Sequence, residues 1–213
     1  MFEESKSIHE LFAYVIANGK QDRDTIWNRN IPLMQVINHK LPTAIEMALN
    51  SRNTGYCGIK AIGKSGSSGR WNNTMYIGIL DESNKKNGKY DLSIGIYPIY
   101  LISPDCEKIY LAYMLGIGSK SERNLQRMGE IIRKNCSFSR FRTDTKEIDL
   151  GKDPHHYKAA IIAYLEYGTQ KIPDDFTLID DLIELLSIHQ KAKGEPYSLA
   201  IEDYRNKMVR FGL

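Results

Sequence analysis

The first 50 residues arrange their polar and apolar positions as short amphipathic helices do. Apolar residues recur at helical spacing after a Ser7–Glu10 capping box, in which each side chain can satisfy the other residue's backbone amide. Pro32 and Pro42 each suit the first turn of a further short helix, where no amide hydrogen is needed. The pattern predicts a helical N-terminal region.

The middle of the chain alternates strand-like runs with turn-like segments. The runs are rich in Ile, Tyr and Leu, and the segments between them are rich in Gly, Ser, Asn and Asp. The last two runs are joined by a Ser-Pro-Asp turn and predict a β-hairpin. Pro98 lies inside one run, so we expect an edge or a bulge at that position. The four predicted strands are residues 56–62, 74–80, 92–102 and 108–115.

Helical patterning returns in the last third of the chain. Ser119 and Glu122 form a second capping box, and a run with an acidic first turn and a basic last turn ends at Gly194. The predicted helices are residues 119–135, 153–168, 174–194 and 196–211.

The order of these elements predicts the fold class. Helices, then a meander of strands, then helices again are typical of an α+β fold. We predict a central, mainly antiparallel sheet over about residues 56–115, flanked by N-terminal and C-terminal helices. No linker-like segment is evident, so we expect a single domain over residues 1–213, with residues 195–213 as a helical appendage.

Composition excludes several classes of protein. Cys57, Cys106 and Cys136 form no CxxC pair and are too sparse for a disulfide framework, which favours a cytoplasmic location. The N-terminus lacks the apolar segment of a signal peptide. No window of about 18 apolar residues offers a membrane span.

Charge is unevenly distributed, although the net charge is only +3. Residues 118–142 contain seven basic and two acidic side chains, whereas residues 173–184 contain five acidic and no basic ones. Arg123 and Arg127 are four residues apart and share one face of a predicted helix. Two interpretations remain open: the basic stripe binds a phosphate backbone, or it is a solvated face that pairs with the acidic helix.

Residues 61–80, AIGKSGSSGRWNNTMYIGIL, join a Gly/Ser-rich segment to a strand. We predict a flexible loop that carries Lys64 and Arg70 and ends at Trp71. Backbone amides of a Gly-rich turn, together with these cations, can hold phosphate oxygens. Trp71 either anchors the loop in the core or stacks on a nucleobase. The loop and the basic stripe together favour a nucleic-acid ligand.

Recognisable catalytic and metal-binding signatures are missing from the sequence. GKSGSSG has neither the spacing nor the following helix of a P-loop, and the His and Cys residues show no local ligand spacing. We therefore predict no metal and no cofactor. Asp144 and Asp149 would be the best acids for a metal-dependent nuclease, but their surroundings look like polar loops rather than rigid elements.

Three segments, in order, resemble the MrcB-like (McrB-like) N-terminal domain family. IKAIGKSGSSGRWNNTMYIGILD is similar to its glycine loop, tryptophan and strand, SIGIYPIYLISPDCEKIYLAYMLGIG to its tyrosine-rich hairpin, and YKAAIIAYLEYGTQKIPDDFTLIDDLIELLSIH to its closing segment. Together they span about residues 8–190. The chain departs from the family where Met75, Tyr76 and Ile77 replace a Pro-Trp-Ile start, where Gly66 and Gly69 enclose two serines, and where the hairpin lacks the usual Asn-Gln ending. If these positions belong to the ligand site, the ligand preference differs.

The resemblance implies a DNA-recognition module of modification-dependent restriction systems, in which a separate GTPase motor and nuclease cut the DNA. We predict a non-catalytic module that binds modified, for example methylated, double-stranded DNA in phage defence, with a restriction motor or nuclease subunit as partner. Cations would hold phosphates, while Trp71 with Tyr76 or Tyr97 would contact a base. The predicted DNA contacts are Lys64, Ser65, Ser67, Ser68, Arg70, Trp71, Asn72, Tyr76, Tyr97, Lys120, Arg123, Arg127, Arg140 and Arg142.

Two alternative functions remain open at the level of sequence. One is a protein-interaction scaffold, whose acidic and basic helices would dock partner proteins. The other is a metal-dependent nuclease that uses Asp144 or Asp149.

Overall fold

The computed structural model describes residues 6–52, 56, 58–118, 120–152, 156–168 and 171–194. The helices are α1 (Ile8–Arg23), α2 (Pro32–Gln35), α3 (Leu41–Ser51), α4 (Glu122–Asn135), α5 (Tyr157–Ala160) and α6 (Asp175–Gly194), with a π-helical turn at Val36–Lys40. The strands are β1 (Lys60–Ser67), β2 (Arg70–Leu80), β3 (Lys85–Lys86), β4 (Lys89–Tyr90), β5 (Ile96–Ile102), β6 (Lys108–Leu115) and β7 (Ile161–Gly168). Cys57, the predicted cap Ser119 and the predicted helix at 196–211 lie outside the described residues.

Five strands form one antiparallel sheet in the order β1-β2-β5-β6-β7. Lys64, Tyr76 and Leu101 are cross-strand partners and lie on one face, which we call the front face. Ile77 and Tyr100 are partners on the other face, the back face. With helices before and after the sheet, the predicted α+β class is confirmed.

The back face is covered by α1 and α6. The ring of Tyr100 lies 5.1 Å from the ring of Phe12 in α1, and its hydroxyl donates to the Leu178 carbonyl in α6 at 3.3 Å. The contacts of Tyr100 hold both helices on the back face.

The predicted capping box at the start of α1 is confirmed, because Ser7 Oγ accepts from the Glu10 amide (3.1 Å) and Glu10 Oε2 accepts from the Ser7 amide (2.8 Å).

The front face is partly covered by the segment 136–152, together with α4, which packs against α5 and β7. The Tyr110 hydroxyl accepts from the Asp149 amide at 3.1 Å, and the Tyr164 hydroxyl donates to the Asp144 carbonyl at 3.1 Å. Thr74 Oγ1 donates to the Leu150 carbonyl at 3.1 Å. The segment 136–152 is thereby tied to three strands of the sheet.

The helix predicted over residues 153–168 is wrong. Of the described residues in this range, 156–168, Tyr157–Ala160 form a helical turn and Ile161–Gly168 form β7, which pairs with β6. Ala and Leu in this run favour a helix locally, but Ile162 and Tyr164 are fully buried when the run completes the sheet. Tertiary pairing overrides the local preference and extends the sheet beyond residues 56–115.

The predicted hairpin of β5 and β6 is confirmed, with pairs running from Ile96–Leu115 to Ile102–Ile109. Pro98 lies in a strand that is central to the sheet. The pairing of β5 with β2 ends at Ile99, however, so β5 is locally an edge at the proline. Among the described helices, none is both long enough and apolar enough to cross a bilayer.

Candidate nucleic-acid interface

The Gly/Ser-rich segment before Trp71 is a tight β-hairpin, so the predicted flexible loop is wrong. β1 continues to Ser67, β2 resumes at Arg70, and the turn consists of Ser68 and Gly69 with φ values of 51° and 78°. Two successive residues with positive φ are typical of a two-residue turn that matches strand twist. Lys64 and Arg70 therefore lie on paired β-strands and not on a flexible loop.

Two glycines of β1 are required by close backbone approach. A Cβ atom at Gly63 would overlap the Ile37 carbonyl oxygen, and one at Gly66 would overlap the Arg70 carbonyl oxygen. The glycines that suggested flexibility therefore allow the strand to pack against the π-helical turn and against its own partner strand.

Trp71 is half-buried and serves as an anchor and as a pocket wall. Its Nε1 donates to the Thr25 carbonyl at 2.8 Å, which ties the hairpin to the segment after α1. The same side chain lines a pocket on the front face. The two interpretations of this tryptophan are therefore compatible in geometry.

The pocket has a volume of about 320 Å³ and opens on the front face beside the β1–β2 hairpin. It combines three aromatic side chains with two lysines and three short polar side chains, and none of the described residues that line it is acidic. Such a volume lies within the range of small-ligand sites, and the lysines make it attractive to an anion. The lining residues are Lys64, Trp71, Asn72, Asn73, Thr74, Tyr76, Lys152 and Tyr157.

Two tyrosines of this pocket influence each other. Burial raises the pKa of Tyr76 to about 12, and the neighbouring Tyr157 phenol adds to the rise. At neutral pH the Tyr76 hydroxyl therefore keeps its proton and can donate a hydrogen bond.

The part of the pocket formed by Asn72, Asn73 and Lys152 is held together by hydrogen bonds between residues far apart in the sequence. The Asn73 side-chain amide donates to the Lys152 carbonyl at 3.3 Å. The guanidinium of Arg23 donates to the carbonyls of Asn72 (3.0 Å) and Asn73 (3.2 Å). Together with the contact between Thr74 and Leu150, these bonds hold Lys152 at the pocket that Lys64 also lines.

Two predicted contact residues lie inside the molecule. Ser65 is fully buried, accepts from Trp27 Nε1 at 3.0 Å and donates its amide to Asn38 Oδ1 at 2.8 Å. Tyr97 is only 2% exposed and its hydroxyl donates to the Leu92 carbonyl. Both side chains support the fold and have no route to a DNA surface in this structure. Ser67 and Ser68, in contrast, are exposed at the hairpin tip.

The basic helix α4 begins after Ser121, whose hydroxyl accepts from the Asn124 amide, rather than after the predicted Ser119. Arg123 and Arg127 are exposed, and neither forms an ion pair with any described residue. Lys120 donates from Nζ to the Gly116 carbonyl.

Two of the other predicted arginines, Arg140 and Arg142, are neutralised within the chain. Arg140 binds Asp181 (2.7 Å) and Glu184 (2.9 Å) of α6. Arg142 pairs with Glu147, and its guanidinium lies 5.5 Å from the centre of the Tyr164 ring. For Arg140, the alternative interpretation of a basic segment that pairs with the acidic helix is the observed one.

The acidic run of α6 is also largely used inside the molecule. Asp175 accepts from the amides of Ile8 and His9 at the start of α1, and Asp180 pairs with Arg52. Asp174 accepts from the Thr177 amide at 2.8 Å. This surface therefore offers a protein partner less free negative charge than the sequence indicates.

A contact joins the basic helix to the pocket wall. His156 Nδ1 lies 3.3 Å from Glu122 Oε2 in the first turn of α4, and His156 directly precedes the pocket residue Tyr157. Arg123 follows Glu122 in the chain. The first turn of α4 therefore adjoins the aromatic pocket.

The acids proposed for a nuclease occupy loop positions. Asp144 accepts from the Lys146 amide (3.1 Å) and Asp149 from the Gly151 amide (2.8 Å), so both stabilise local turns. Within the described ranges, no group of three or more His, Cys, Asp or Glu side chains is arranged to hold a metal ion.

Sequence reasoning identified Lys64, Trp71, Asn72 and Tyr76 in the pocket and missed Asn73, Thr74, Lys152 and Tyr157. Asn73 and Thr74 adjoin predicted residues and could have been included on that ground. Lys152 and Tyr157 carry no local signal, because both are far in sequence from the β1–β2 hairpin: Lys152 ends the segment 136–152 and Tyr157 begins α5.

Comparison with known proteins gives one family. A family model described as MrcB-like, N-terminal domain matches residues 15–194, a range that contains every residue lining the pocket. No curated protein matches the chain. Because the family model covers well over half of the sequence, this chain belongs to the MrcB-like N-terminal domain family.

Proposed function

We propose that this chain is a non-catalytic specificity module of a restriction system that recognises modified double-stranded DNA, in the cytoplasm and without a cofactor. The observation that carries the proposal is the front-face pocket, with its three aromatic side chains and its two lysines. Family membership supports the coarser part, a DNA-binding module of a restriction system. A motor or nuclease subunit would be its partner.

The chemistry of the pocket suits a nucleobase with attached phosphate. Aromatic side chains stack on the flat face of a base, which contributes roughly 1–3 kcal/mol per base. Proteins that inspect a single base in a duplex can take it out of the stack and enclose it in such a pocket. Lys64 and Lys152 would neutralise the flanking phosphates, and Asn72 and Tyr76 provide hydrogen-bonding groups for the edge of a base.

The surroundings of the pocket extend the cationic surface. Arg70 is exposed beside Trp71, and Arg123 and Arg127 are exposed on α4, whose first turn adjoins the pocket through Glu122. Each phosphate that these side chains neutralise releases counterions, so binding weakens steeply with salt. Ser65, Tyr97, Arg140 and Arg142 are not part of the proposed surface.

Binding to matched duplexes tests the proposal. Fluorescence anisotropy would compare one sequence in four forms, unmodified or carrying 5-methylcytosine, 5-hydroxymethylcytosine or N6-methyladenine, at two salt concentrations. We expect at least one modified duplex to bind more tightly than the unmodified one, with affinity falling at higher salt. Equal affinity for all four duplexes argues against modification readout, and salt-insensitive binding argues against the phosphate contacts.

The absence of catalysis is tested separately. Incubation of the protein with plasmid and Mg²⁺ or Mn²⁺ is expected to leave the DNA intact. Cleavage that disappears on changing Asp144 or Asp149 to Ala would instead establish a nuclease.

A further inference from the structure

The chain between β2 and β5 contains a second small hairpin, formed by β3 and β4. Its turn consists of Asn87 and Gly88, with φ values of 52° and 75°, the conformation that suits a two-residue hairpin. In sequence this segment, ESNKKNGKY, looks like a polar loop between strands. In the structure it is a defined element that the pocket does not use.

The base of this hairpin is built around a buried asparagine. Asn84 is fully buried, and its side-chain amide donates to the carbonyls of Ile94 (3.3 Å) and Ile96 (3.5 Å). Its Oδ1 accepts from the Asp81 amide at 3.1 Å, and its carbonyl accepts from the Asp91 amide at 2.8 Å. These four bonds hold both ends of the hairpin and fix the direction in which it projects.

The hairpin stands on the same face of the sheet as the pocket. Leu92, just after β4, lies directly over Gly78, where an added Cβ would overlap the leucine side chain. Gly78 is two residues from Tyr76 on the same strand and face, a separation of about 7 Å. The Tyr90 hydroxyl donates to the Gly58 carbonyl at 3.3 Å, which places the hairpin beside the start of the edge strand β1.

The tip of the hairpin places two lysines opposite each other. Lys86 and Lys89 are direct cross-strand partners, and both are exposed. Like charges opposite each other destabilise a strand pair. Lys85 is neutralised by Glu82 at 2.7 Å. Hydrogen bonds from Ser93, and to a lesser extent the charge of Lys86, lower the pKa of Asp91, but neither Lys86 nor Lys89 forms a salt bridge within 4 Å of a described residue. An anion placed against both lysines would relieve their repulsion.

We infer that the β3–β4 hairpin is a second DNA contact, whose lysines Lys86 and Lys89 hold the phosphate backbone beside the base examined in the pocket. The inference rests on the proposed function. The base of the hairpin lies over Gly78, about 7 Å from Tyr76 along β2, and Tyr90 reaches Gly58 just before β1. With a rise of about 3.4 Å per base pair, the hairpin contacts phosphates that are more than two base pairs from the pocket.

The test is the salt dependence of binding to a duplex of about 20 base pairs with one central modified base. For Lys86→Gln/Lys89→Gln, we expect the slope of log affinity against log salt to become shallower by about 1.8, which corresponds to two phosphates. Affinity for modified and unmodified duplexes should fall by the same factor, because phosphate contacts carry no base information. On duplexes cut to two base pairs on the side that the hairpin reaches, the variant and the wild type should bind equally.

The matched control is Lys20→Gln/Lys191→Gln, which removes the same charge from exposed positions on α1 and α6, the two helices that cover the back face. It should leave the slope nearly unchanged. Thermal melting should show that the hairpin variant is at least as stable as wild type, because a like-charge pair has been removed.

An unchanged slope in the hairpin variant, with wild type binding DNA, would overturn the hairpin contact and leave the proposed function standing. Wild-type protein that binds no duplex would overturn both. A larger loss for modified than for unmodified DNA would place the hairpin in base readout and would contradict a phosphate contact.

Discussion

The indole Nε1 of Trp71 donates a hydrogen bond of 2.8 Å to the backbone carbonyl of Thr25. This bond fixes the edge of the ring, while the side chain still lines the front-face pocket. Trp71 therefore forms a preordered wall of the pocket, and its ring does not have to become ordered when a ligand binds. A ligand that stacks on it pays less conformational entropy than one that must first order a loop.

Removal of the Trp71 ring tests this role directly. Trp71→Ala should weaken binding to the preferred modified duplex by about 1–3 kcal/mol, roughly 5- to 150-fold, because a stacking surface is lost. Trp71→Phe keeps an aromatic face and should lose less. Anisotropy titrations at one salt concentration measure both variants.

Trp27→Phe is the matched control for these variants. Trp27 bonds to Ser65 and does not line the pocket, so its change should lower the melting temperature and leave the affinity nearly unchanged. Wild-type affinity in Trp71→Ala would exclude stacking on this residue.

The pocket lysines should contribute to affinity through charge. Lys64→Gln and Lys152→Gln should each make the salt slope shallower by about 0.9, the value for one phosphate contact. The double variant should be shallower by about 1.8, and the preference for modified over unmodified DNA should persist. Salt titrations of both single variants and of the double variant provide the measurement, and slopes equal to that of the wild type would place the phosphates elsewhere.

Arg140 was expected among the DNA contacts, but its ion pairs predict a structural role. Asp181 is only 2% exposed and relies on Arg140 and on the Tyr167 hydroxyl (2.8 Å) for its hydrogen bonds. Arg140→Gln should therefore cost about 1–3 kcal/mol of unfolding free energy, measured by urea denaturation, because charged hydrogen bonds to a buried carboxylate are lost. The salt slope of DNA binding should not change, and a shallower slope would return Arg140 to the interface.

Local sequence signals predicted the local parts of this fold. The capping box at Ser7, the α6 helix with its oppositely charged ends, and the β5–β6 hairpin all depend on residues close together in the chain. The helix predicted for residues 153–168 failed because its strand conformation depends on β6, about 50 residues away. Only the open edge of β6 makes a strand the better structure for Ile161–Gly168.

The residues of the candidate site follow the same rule: those on one local element could be predicted from the sequence, and those placed by distant contacts could not. Lys64, Trp71 and Tyr76 were found because one hairpin carries them all. Lys152 was missed because its place depends on a hydrogen bond to Asn73, across 79 residues. Ser65 was misassigned because a serine in a Gly/Ser-rich run looks exposed, whereas the partner that buries it is the distant Trp27.

Gly63 should be intolerant of even the smallest side chain. A Cβ there would overlap the Ile37 carbonyl oxygen, which belongs to the backbone of the π-helical turn and cannot rotate away. Gly63→Ala should destabilise the protein by about 1–3 kcal/mol in urea denaturation, the usual effect of overpacking. Gly168→Ala is the matched control, because nothing lies within 4 Å of its added Cβ. Equal stability of the two variants would contradict the close packing of β1 on the turn.

Tyr76 should make the stability of the protein sensitive to alkaline pH. Burial raises the pKa of Tyr76 to about 12 in the folded state, whereas a tyrosine in the unfolded chain titrates near 10. Above pH 10 the unfolded chain loses its proton first, so the unfolded state is stabilised and the free energy of unfolding falls as pH rises from about 10 through 12. Tyr76→Phe has no proton to lose, so its unfolding free energy should fall less over this range. Urea denaturation at intervals from pH 8.5 to 11.5 would show the wild-type curve falling more steeply than the Tyr76→Phe curve, and parallel curves would mean that the phenol is as well solvated in the folded protein as in the unfolded chain.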